Sequence, residues 1–346
     1  METIMTCKSV TKVLIPAALA ALSVLSTNPG WAADIQKRSL KMPIVNAITH
    51  PQGVGAKKFA DLVEQKSGGK IKIKIFAGGT LGGEVEVASM MQGGTIDVSM
   101  MAPAQLVGNV KEFLILDFPF VFANEQEADF VLDGPLGKKL LDKLPEKNLV
   151  GLAYMEQGFR SISNSKHPVI KLEDIQGLKL RTIQNPLYID LLNALGANAV
   201  PMPFTELYTA LETKTVDGQE NPYLTVEASK LYEVQKYFSA TKHIYNPQLL
   251  LVSKKFWDSL SADEKQLFQD AAAEARDYQR KVAREMSQKS REFLIKQGME
   301  INDVAPEEIA RMREKAQPVI AKYTEQVGEP LVKEFYAELD KVRQQK

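Results

Sequence analysis

Apolar and polar residues alternate strictly along Lys70–Ile75, which is the period of a strand with one wet face. A helix is predicted before it, over Gln52–Lys66, and a strand before that helix, over Leu40–Ala47. The same order continues with a helix over Glu84–Met91 and a strand over Ile96–Met101. Short strand–helix–strand units of this kind predict an α/β fold with a largely parallel sheet.

The rest of the chain continues this style and then changes. Further strands are predicted over Leu149–Met155, Leu178–Thr182, Ala197–Val200 and Phe238–Ile244. Helices are predicted over Leu187–Leu195, Phe204–Thr213, Tyr223–Leu231, Pro306–Tyr323 and Gly328–Val342. A single long helix should run from Ser261 to about Gln297, because Ser261 and Glu264 form a capping box and Gly298 follows its end.

The number of strands exceeds what one domain of about 150 residues holds, so two α/β lobes are expected. A helix of about 37 residues rises about 55 Å, which is longer than one lobe is wide. It is expected either to bridge both lobes or to lie on the surface as an ordinary long helix.

The first 32 residues have the order of a secretory signal peptide. Lys8 and Lys12 precede the apolar run Val13–Leu25, and Gly30-Trp31-Ala32 supplies small residues for cleavage after Ala32, with Ala33 as the alternative. The single cysteine, Cys7, precedes the run and would leave with it. The mature chain is therefore expected in the periplasm, without a disulfide or a thiol nucleophile.

Charge and motif content disfavour several classes of function. The 43 basic and 43 acidic residues balance, so net charge does not attract nucleic acid or anionic lipid. Three histidines lie far apart, without zinc spacing, and Gly53-Val54-Gly55 lacks the third glycine of a dinucleotide fingerprint. We therefore expect no catalytic residue, no metal and no cofactor.

The use of arginine is the most informative feature. From Ser39 to Ala275 there are 22 lysines and only two arginines, Arg160 and Arg181. Both lie at strand-like positions beside turn residues. Because a guanidinium grips a carboxylate with two parallel hydrogen bonds, these two arginines are candidates for binding an acid rather than for a structural ion pair.

Polar residues near predicted helix starts supply further candidates. Asn185-Pro186 and Asn246-Pro247 are explained by helix capping, whereas Asn221 before Pro222 suits capping and ligand contact equally. His50 follows the first strand and Glu84 opens the second helix, where ligands of open α/β sheets bind. Either residue is also explained by its helix end.

Four ordered motifs resemble the solute receptors of tripartite ATP-independent periplasmic (TRAP) transporters, of the dicarboxylate-binding type. They are Gly158-Phe159-Arg160 with Asn164, Gly177-Leu178-Lys179-Leu180-Arg181, the segment Phe204–Leu211, and the segment Val216–Pro222. The resemblance covers essentially the whole mature chain. It implies a hinged, two-lobed periplasmic-binding-protein fold of type II-like architecture.

The resemblance also implies a ligand site and a partner. Arg181 would clamp the carboxylate with help from Arg160 and Asn221, and three residues would support them, namely His243, Gln157 and Asn164. The partner would be an ion-driven membrane permease. The lobes are expected at 33–157 with about 246–285, and at 158–245 with about 286–346, in a chain that acts as a monomer.

The expected function is capture of a small organic acid and its delivery to the permease. The polar residues Asn46 to His50 and Glu84 suit hydroxyl groups, so a sugar acid such as glucuronate or galacturonate is favoured. The alternatives are a C4-dicarboxylate or another hydroxy or keto acid as ligand, or a sensor subunit that presents the ligand to a signalling receptor.

Overall fold

A computed structural model describes residues 35–344, which form two β-sheets flanked by helices. The strands are β1 (Arg38–Pro43), β2 (Ile71–Phe76), β3 (Val98–Met101), β4 (Leu149–Asn164), β5 (Lys179–Thr182), β6 (Asn198–Pro201), β7 (Gly218–Asn221), β8 (Tyr237–Ser253) and β9 (Glu300–Asp303). The helices are α1 (Pro51–Lys66), α2 (Glu84–Gln92), α3 (Glu125–Asp133), α4 (Pro135–Leu141), α5 (Pro186–Ala194), α6 (Leu207–Glu212), α7 (Tyr223–Ala228), α8 (Lys254–Asp258), α9 (Ala262–Lys296), α10 (Pro306–Val327) and α11 (Glu329–Gln344).

The larger sheet is mixed. Its strand order is β3-β8-β4-β7-β5-β6, with β9 beside β8, and β1 pairs with β2 in a separate parallel ribbon. The pairs β3–β8, β8–β4 and β4–β7 are antiparallel, whereas β5–β6, β5–β7 and β8–β9 are parallel. The expectation of a largely parallel sheet was therefore wrong, because two long antiparallel strands form the centre.

Those central strands, β4 and β8, run much further than their apolar patterns predicted. β4 continues past Met155 to Asn164, and β8 continues past Ile244 to Ser253. The β4–β8 register shifts between Glu156 and Gly158, where Gly158 adopts a φ of 106° that only glycine tolerates well. The bulge interrupts the apolar–polar alternation of β4, so the sequence pattern did not predict that β4 continues past Met155.

Helix α9 confirms the predicted long helix. Ser261 accepts from the Glu264 N–H, and the Glu264 side chain accepts from the Ser261 N–H, as the capping box predicted. The 35 residues rise about 52 Å. The helix contributes Leu267 to the same apolar cluster as β1 and α1, and Leu294 to a cluster with α6. The helix therefore packs against the first of these clusters near its start and against the second near its end.

Helix α9 also supplies hydrogen bonds to the bulge in β4. The Gln279 side chain accepts from the Glu156 N–H at 2.8 Å and donates to the Glu156 carbonyl at 2.6 Å. Glu156 lies opposite Pro247, which has no N–H to offer to the ladder. The buried backbone groups of the bulge are thus satisfied by a helix rather than by the neighbouring strand.

Three apolar clusters form the core. One joins β1 and α1 to β3, β8 and α9, and a smaller one surrounds α6 and α7. The largest joins α2–α4 to α5, α10 and α11, and so includes residues from both predicted lobes. Leu116–Phe122 belongs to it, as the interpretation of that segment as core predicted, although Phe120 is only partly buried and has a positive φ of 57°. The exact residue ranges of the lobes stay a prediction.

Other elements differ from their predictions in extent. Phe204–Glu206 forms a 3-10 turn before α6, and Tyr223–Leu231 divides into α7 and a 3-10 turn. The signal peptide predicted at 1–32, including Cys7, lies outside the described residues. Among residues 35–344, no helix combines the length and apolar character needed to cross a bilayer.

Candidate functional site

A small cavity lies where the loops after β1, β3 and β5 face the middle of β4 and β8. Its polar lining contains two cations, one carboxylate and four amides. The lining residues are Val45, Asn46, Glu84, Ala102, Gln157, Arg160, Arg181, Ile183, Phe204, Asn221 and Asn246.

Two segments that are distant in sequence approach each other closely beside the cavity. A Cβ on Gly79 would lie 2.5 Å from the Thr205 side chain, and one on Gly83 would lie 3.6 Å from the Pro203 Cβ. The loop before α2 is therefore pressed against the turn that carries Phe204.

Arg181 is fully buried in β5, at the strand position predicted for it. Its Nε and Nη2 donate to the Met202 carbonyl at 3.1 and 2.7 Å, while Nη1 has no partner among the described residues. Burial lowers the pKa of Arg181 to about 10, which still leaves it charged at neutral pH. The side chain therefore presents an uncompensated N–H group and a positive charge to the cavity.

Arg160, in β4, is neutralised by a carboxylate that sequence analysis did not single out. Its Nε and Nη2 donate to Glu220 in β7 at 2.5 and 2.8 Å, and both side chains are at most 2% exposed. Burial alone would raise the pKa of Glu220, but the Arg160 charge holds it at about 2. Arg160 therefore lines the cavity as one member of a buried ion pair.

His243 and Asn246 complete the surroundings of this pair. His243 lies behind it, with Nε2 3.4 Å from Glu220 Oε2 and Nδ1 2.8 Å from Thr241 Oγ1. Asn246 accepts from Arg160 Nη1 through Oδ1 at 3.1 Å, which leaves its Nδ2 without a partner beside the cavity. The capping role predicted for Asn246 was wrong, since it lies inside β8. By contrast, Asn185 does cap α5.

Asn221 and Gln157 both line the cavity from the central sheet. Asn221 ends β7 and donates to Gln219 at 2.5 Å, and the residue that precedes α7 is Pro222 rather than Asn221. The structure therefore disagrees with capping as the explanation of Asn221. Gln157 accepts from Gln248 and donates to Thr225 at 3.1 Å, so it lies within a buried hydrogen-bond network.

His50 is fully buried at the start of α1, where its Nδ1 accepts from the Gln52 N–H at 3.0 Å. Since Nδ1 accepts, the proton of the neutral ring is on Nε2, which lies 3.2 Å from Thr225 Oγ1 in α7. Burial lowers the pKa of His50 to about 3. His50 caps its helix and joins α1 to α7, and it is not among the residues that line the cavity.

Glu84 lines the cavity from the first turn of α2. Its two oxygens accept from the Ala102 N–H at 3.2 Å and from Gln105 Nε2 at 3.1 Å. Burial raises its pKa, and the hydrogen bonds and the nearby arginines oppose that shift. Glu84 is thus a buried hydrogen-bond acceptor on the side of the cavity that α2 forms.

Asn164, like His50, is a predicted site residue that does not line the cavity. Its side chain accepts from the Lys166 and His167 N–H groups and donates to the His167 carbonyl, which holds the turn after β4. The structure instead adds Asn246 to the residues at the cavity, beside Asn46 from the segment expected to suit hydroxyl groups. The apolar run after Pro247 is the sequence signal that could have placed Asn246 in a strand.

Three buried polar atoms at the cavity have no partner among residues 35–344: Asn46 Oδ1, Arg181 Nη1 and Asn246 Nδ2. Buried groups of this kind are nearly always paired, so this concentration marks a place for a polar ligand. Two of the atoms donate and one accepts. Among the described residues, no cluster of three or more His, Cys, Asp or Glu is placed to hold a metal.

The model of the family described as "Bacterial extracellular solute-binding protein, family 7" (DctP) matches residues 44–326. The chain belongs to this family. A sugar acid binding protein of Advenella mimigardefordensis, solved in complex with galactonate, is 42% identical to this solute-binding protein. Its TM-score is 0.87, and the match covers 89% of this chain and 99% of that one.

Two further relatives support the assignment. A TRAP periplasmic solute-binding protein of Ochrobactrum anthropi, solved with a C-terminus bound in its ligand pocket, is 50% identical, with a TM-score of 0.81 and coverage of 90% and 97%. The 2,3-diketo-L-gulonate-binding periplasmic protein YiaO of Escherichia coli is 39% identical over 85% of this chain and 87% of its own. The predicted TRAP-receptor family and two-lobed α/β fold are confirmed.

The buried, neutral His50 should make stability depend on pH. Its folded pKa of about 3 lies below the ordinary value of 6.5, so the unfolded chain binds the extra proton between these values and stability falls as pH falls through 6.5. Between pH 7 and pH 5 the loss from this residue is about 2 kcal/mol. Urea unfolding of the ligand-free protein measures it.

His50→Asn keeps a capping side chain but cannot titrate, so its stability should fall less over this interval. Asp117 titrates in the opposite sense, because burial raises its pKa to about 8, but it does so in both proteins and cancels in the comparison. Parallel pH dependences of the wild type and the variant would contradict the assignment.

Proposed function

We propose that this solute-binding protein captures a polyhydroxylated monocarboxylate, such as an aldonate or a uronate, and delivers it unchanged to the permease of a TRAP transporter. The observation that carries the proposal is the buried Arg181 Nη1, which has no partner in the described part of the chain. A carboxylate at this point would supply the missing hydrogen-bond acceptor and a negative charge in direct contact with the guanidinium.

The energetics favour an anion over a neutral ligand. Burying an unpaired guanidinium is costly, and a carbonyl such as that of Met202 satisfies its hydrogen bonds without balancing its charge. The charge of Arg160 is already balanced by Glu220. In this proposal Arg181 binds the ligand carboxylate. Arg160 assists by holding Asn246, whose unpartnered Nδ2 would donate to a second acceptor on the ligand.

A monoacid is favoured over a C4-dicarboxylate because the described lining offers no second unpaired cation. It has instead Glu84, which would repel a second carboxylate and can accept from a hydroxyl group. Amides of Asn46, Gln157 and Asn221 extend a surface suited to hydroxyls. The galactonate bound to the Advenella relative and the diketo acid in the name of YiaO are ligands of this chemical type.

The delivery step rests on family membership, and a sensor subunit would use the same cavity. Neighbouring genes for two permease subunits would favour transport, and a neighbouring histidine kinase would favour sensing. Recovery of the ligand unaltered after incubation with the protein would distinguish binding from turnover.

Export to the periplasm belongs to the same proposal. With its leader present in a Gram-negative host, the protein should be recovered from the periplasm with Ala33 or Asp34 as its first residue, which N-terminal sequencing shows. Retention of the full-length chain in the cytoplasm would contradict it.

Arg181→Lys keeps a positive charge but cannot both hold the Met202 carbonyl and grip a carboxylate. The affinity for D-galactonate should fall by about 2–4 kcal/mol, or about 30- to 1,000-fold, in calorimetry. The matched control is Arg291→Lys, at a half-exposed arginine that pairs with Asp303. A clamp variant that binds within twofold of the wild type would show that Arg181 is structural.

The class of ligand is tested by comparing D-galactonate, D-gluconate and D-glucuronate with succinate and malate in one calorimetric series. The sugar acids should bind more tightly. Glu84→Gln should weaken their binding about tenfold, because a charged acceptor is lost. Glu64→Gln is the control, since Glu64 is exposed on α1. Tighter binding of the diacids, with no effect of Glu84→Gln, would refute the proposed class.

A further inference from the structure

The side chain of Asn46 contributes an acceptor to the cavity. Asn46 follows β1, is 2% exposed and lines the cavity. Its Nδ2 donates to Gln52 Oε1 at 2.9 Å, whereas its Oδ1 has no partner among residues 35–344. The atom that remains for a ligand is therefore a carbonyl oxygen, which can only accept a hydrogen bond.

The orientation of this amide is fixed by backbone groups. Gln52 Oε1 also accepts from the Asn46 backbone N–H at 3.0 Å, and Gln52 Nε2 donates to the Met100 carbonyl at 2.8 Å. A backbone N–H can only donate and a backbone carbonyl can only accept, so the Gln52 amide has one allowed orientation. Asn46 must then turn its NH₂ toward Gln52 and its oxygen toward the cavity.

The same polarity continues through the interior. Gln52 Nε2 donates to Gln248 Oε1 at 2.8 Å, Gln248 Nε2 donates to Gln157 Oε1, and Gln157 Nε2 donates to Thr225 Oγ1 at 3.1 Å. Every side-chain amide in this series of hydrogen bonds donates to the next residue away from Asn46. Reversing Asn46 would leave Gln52 Oε1 facing a second oxygen, so the chain holds the acceptor in place.

Asn246 has the opposite polarity. Its Oδ1 faces Arg160 Nη1, which can only donate, so its unpartnered group is the NH₂. With Arg181 Nη1, the cavity thus offers two donors and a single fixed acceptor among its unpaired atoms. The donors suit a carboxylate and other oxygens, whereas the acceptor at Asn46 requires an O–H.

We propose that Asn46 Oδ1 accepts a hydrogen bond from one hydroxyl of the ligand and thereby selects a hydroxy acid over the keto acid oxidised at that carbon. The inference rests on the proposed sugar-acid function. A ketone oxygen has no proton to donate, so it would meet Asn46 Oδ1 lone pair to lone pair and leave it unsatisfied. The expected ligand thus differs at this carbon from a keto acid such as the one that YiaO is named for.

The test uses hydroxy and keto acids that differ at one carbon. Calorimetry on the mature protein compares D-gluconate with 2-keto-D-gluconate and with 5-keto-D-gluconate. For at least one pair the hydroxy acid should bind about 10- to 100-fold more tightly, the effect of one buried acceptor left unpaired. In Asn46→Ala the ratio for that pair should fall to within about threefold.

Asn46→Ser provides a second measurement, because a hydroxyl can donate to a ketone as well as accept from an alcohol. It should bind the keto acid better than the wild type does. Asn198→Ala, at an exposed asparagine of β6, is the control and should keep the wild-type ratio. Circular dichroism melting shows that each variant is folded.

The outcomes separate the two proposals. If the wild type binds both keto acids as tightly as gluconate, the role of Asn46 is refuted while the sugar-acid function stands. The same holds if the wild-type preference for gluconate survives in Asn46→Ala. If the wild type binds succinate and none of these sugar acids, the proposed function fails and this inference fails with it.

Discussion

The buried pair between Arg160 and Glu220 is the interaction on which the geometry of the site depends. It joins β4 to β7, and Thr182 in β5 donates to the same Glu220 carboxylate at 2.9 Å. Asn246 in β8 is held by the guanidinium. A buried ion pair contributes little net stability after desolvation, so its value here is positional, because its two charged groups together join side chains from four strands.

This pair also explains why two arginines in one cavity have different roles. Glu220 pairs directly with Arg160, whereas Arg181 has no hydrogen-bonded carboxylate among the described residues and keeps a free N–H group. Several other amides of the interior bond to each other and to the backbone. The few atoms without partners are consequently informative, since they mark where the ligand must complete the network.

Sequence patterns predicted the parts of this site that depend on local chemistry. The scarcity of arginine singled out Arg160 and Arg181, and capping rules located Asn185 and the start of α9. The ion-pair partner of Arg160 lies 60 residues away in a four-residue strand, and no local signal couples the two. Asn246 was misjudged because Asn-Pro is typical of a helix start, whereas here a bulged strand accommodates the proline.

The bulge of β4 has a mechanical consequence. At the step where Glu156 faces Pro247, the two central strands lack the regular ladder, and the hydrogen bonds of Glu156 pass to Gln279 in α9. Gln279 lies near the middle of α9, so any rotation of the strands about this step would also displace a helix about 52 Å long. A rotation that opened the cavity would bend or turn that helix, and the stiffness of the helix would then enter the free-energy difference between an open and a closed arrangement.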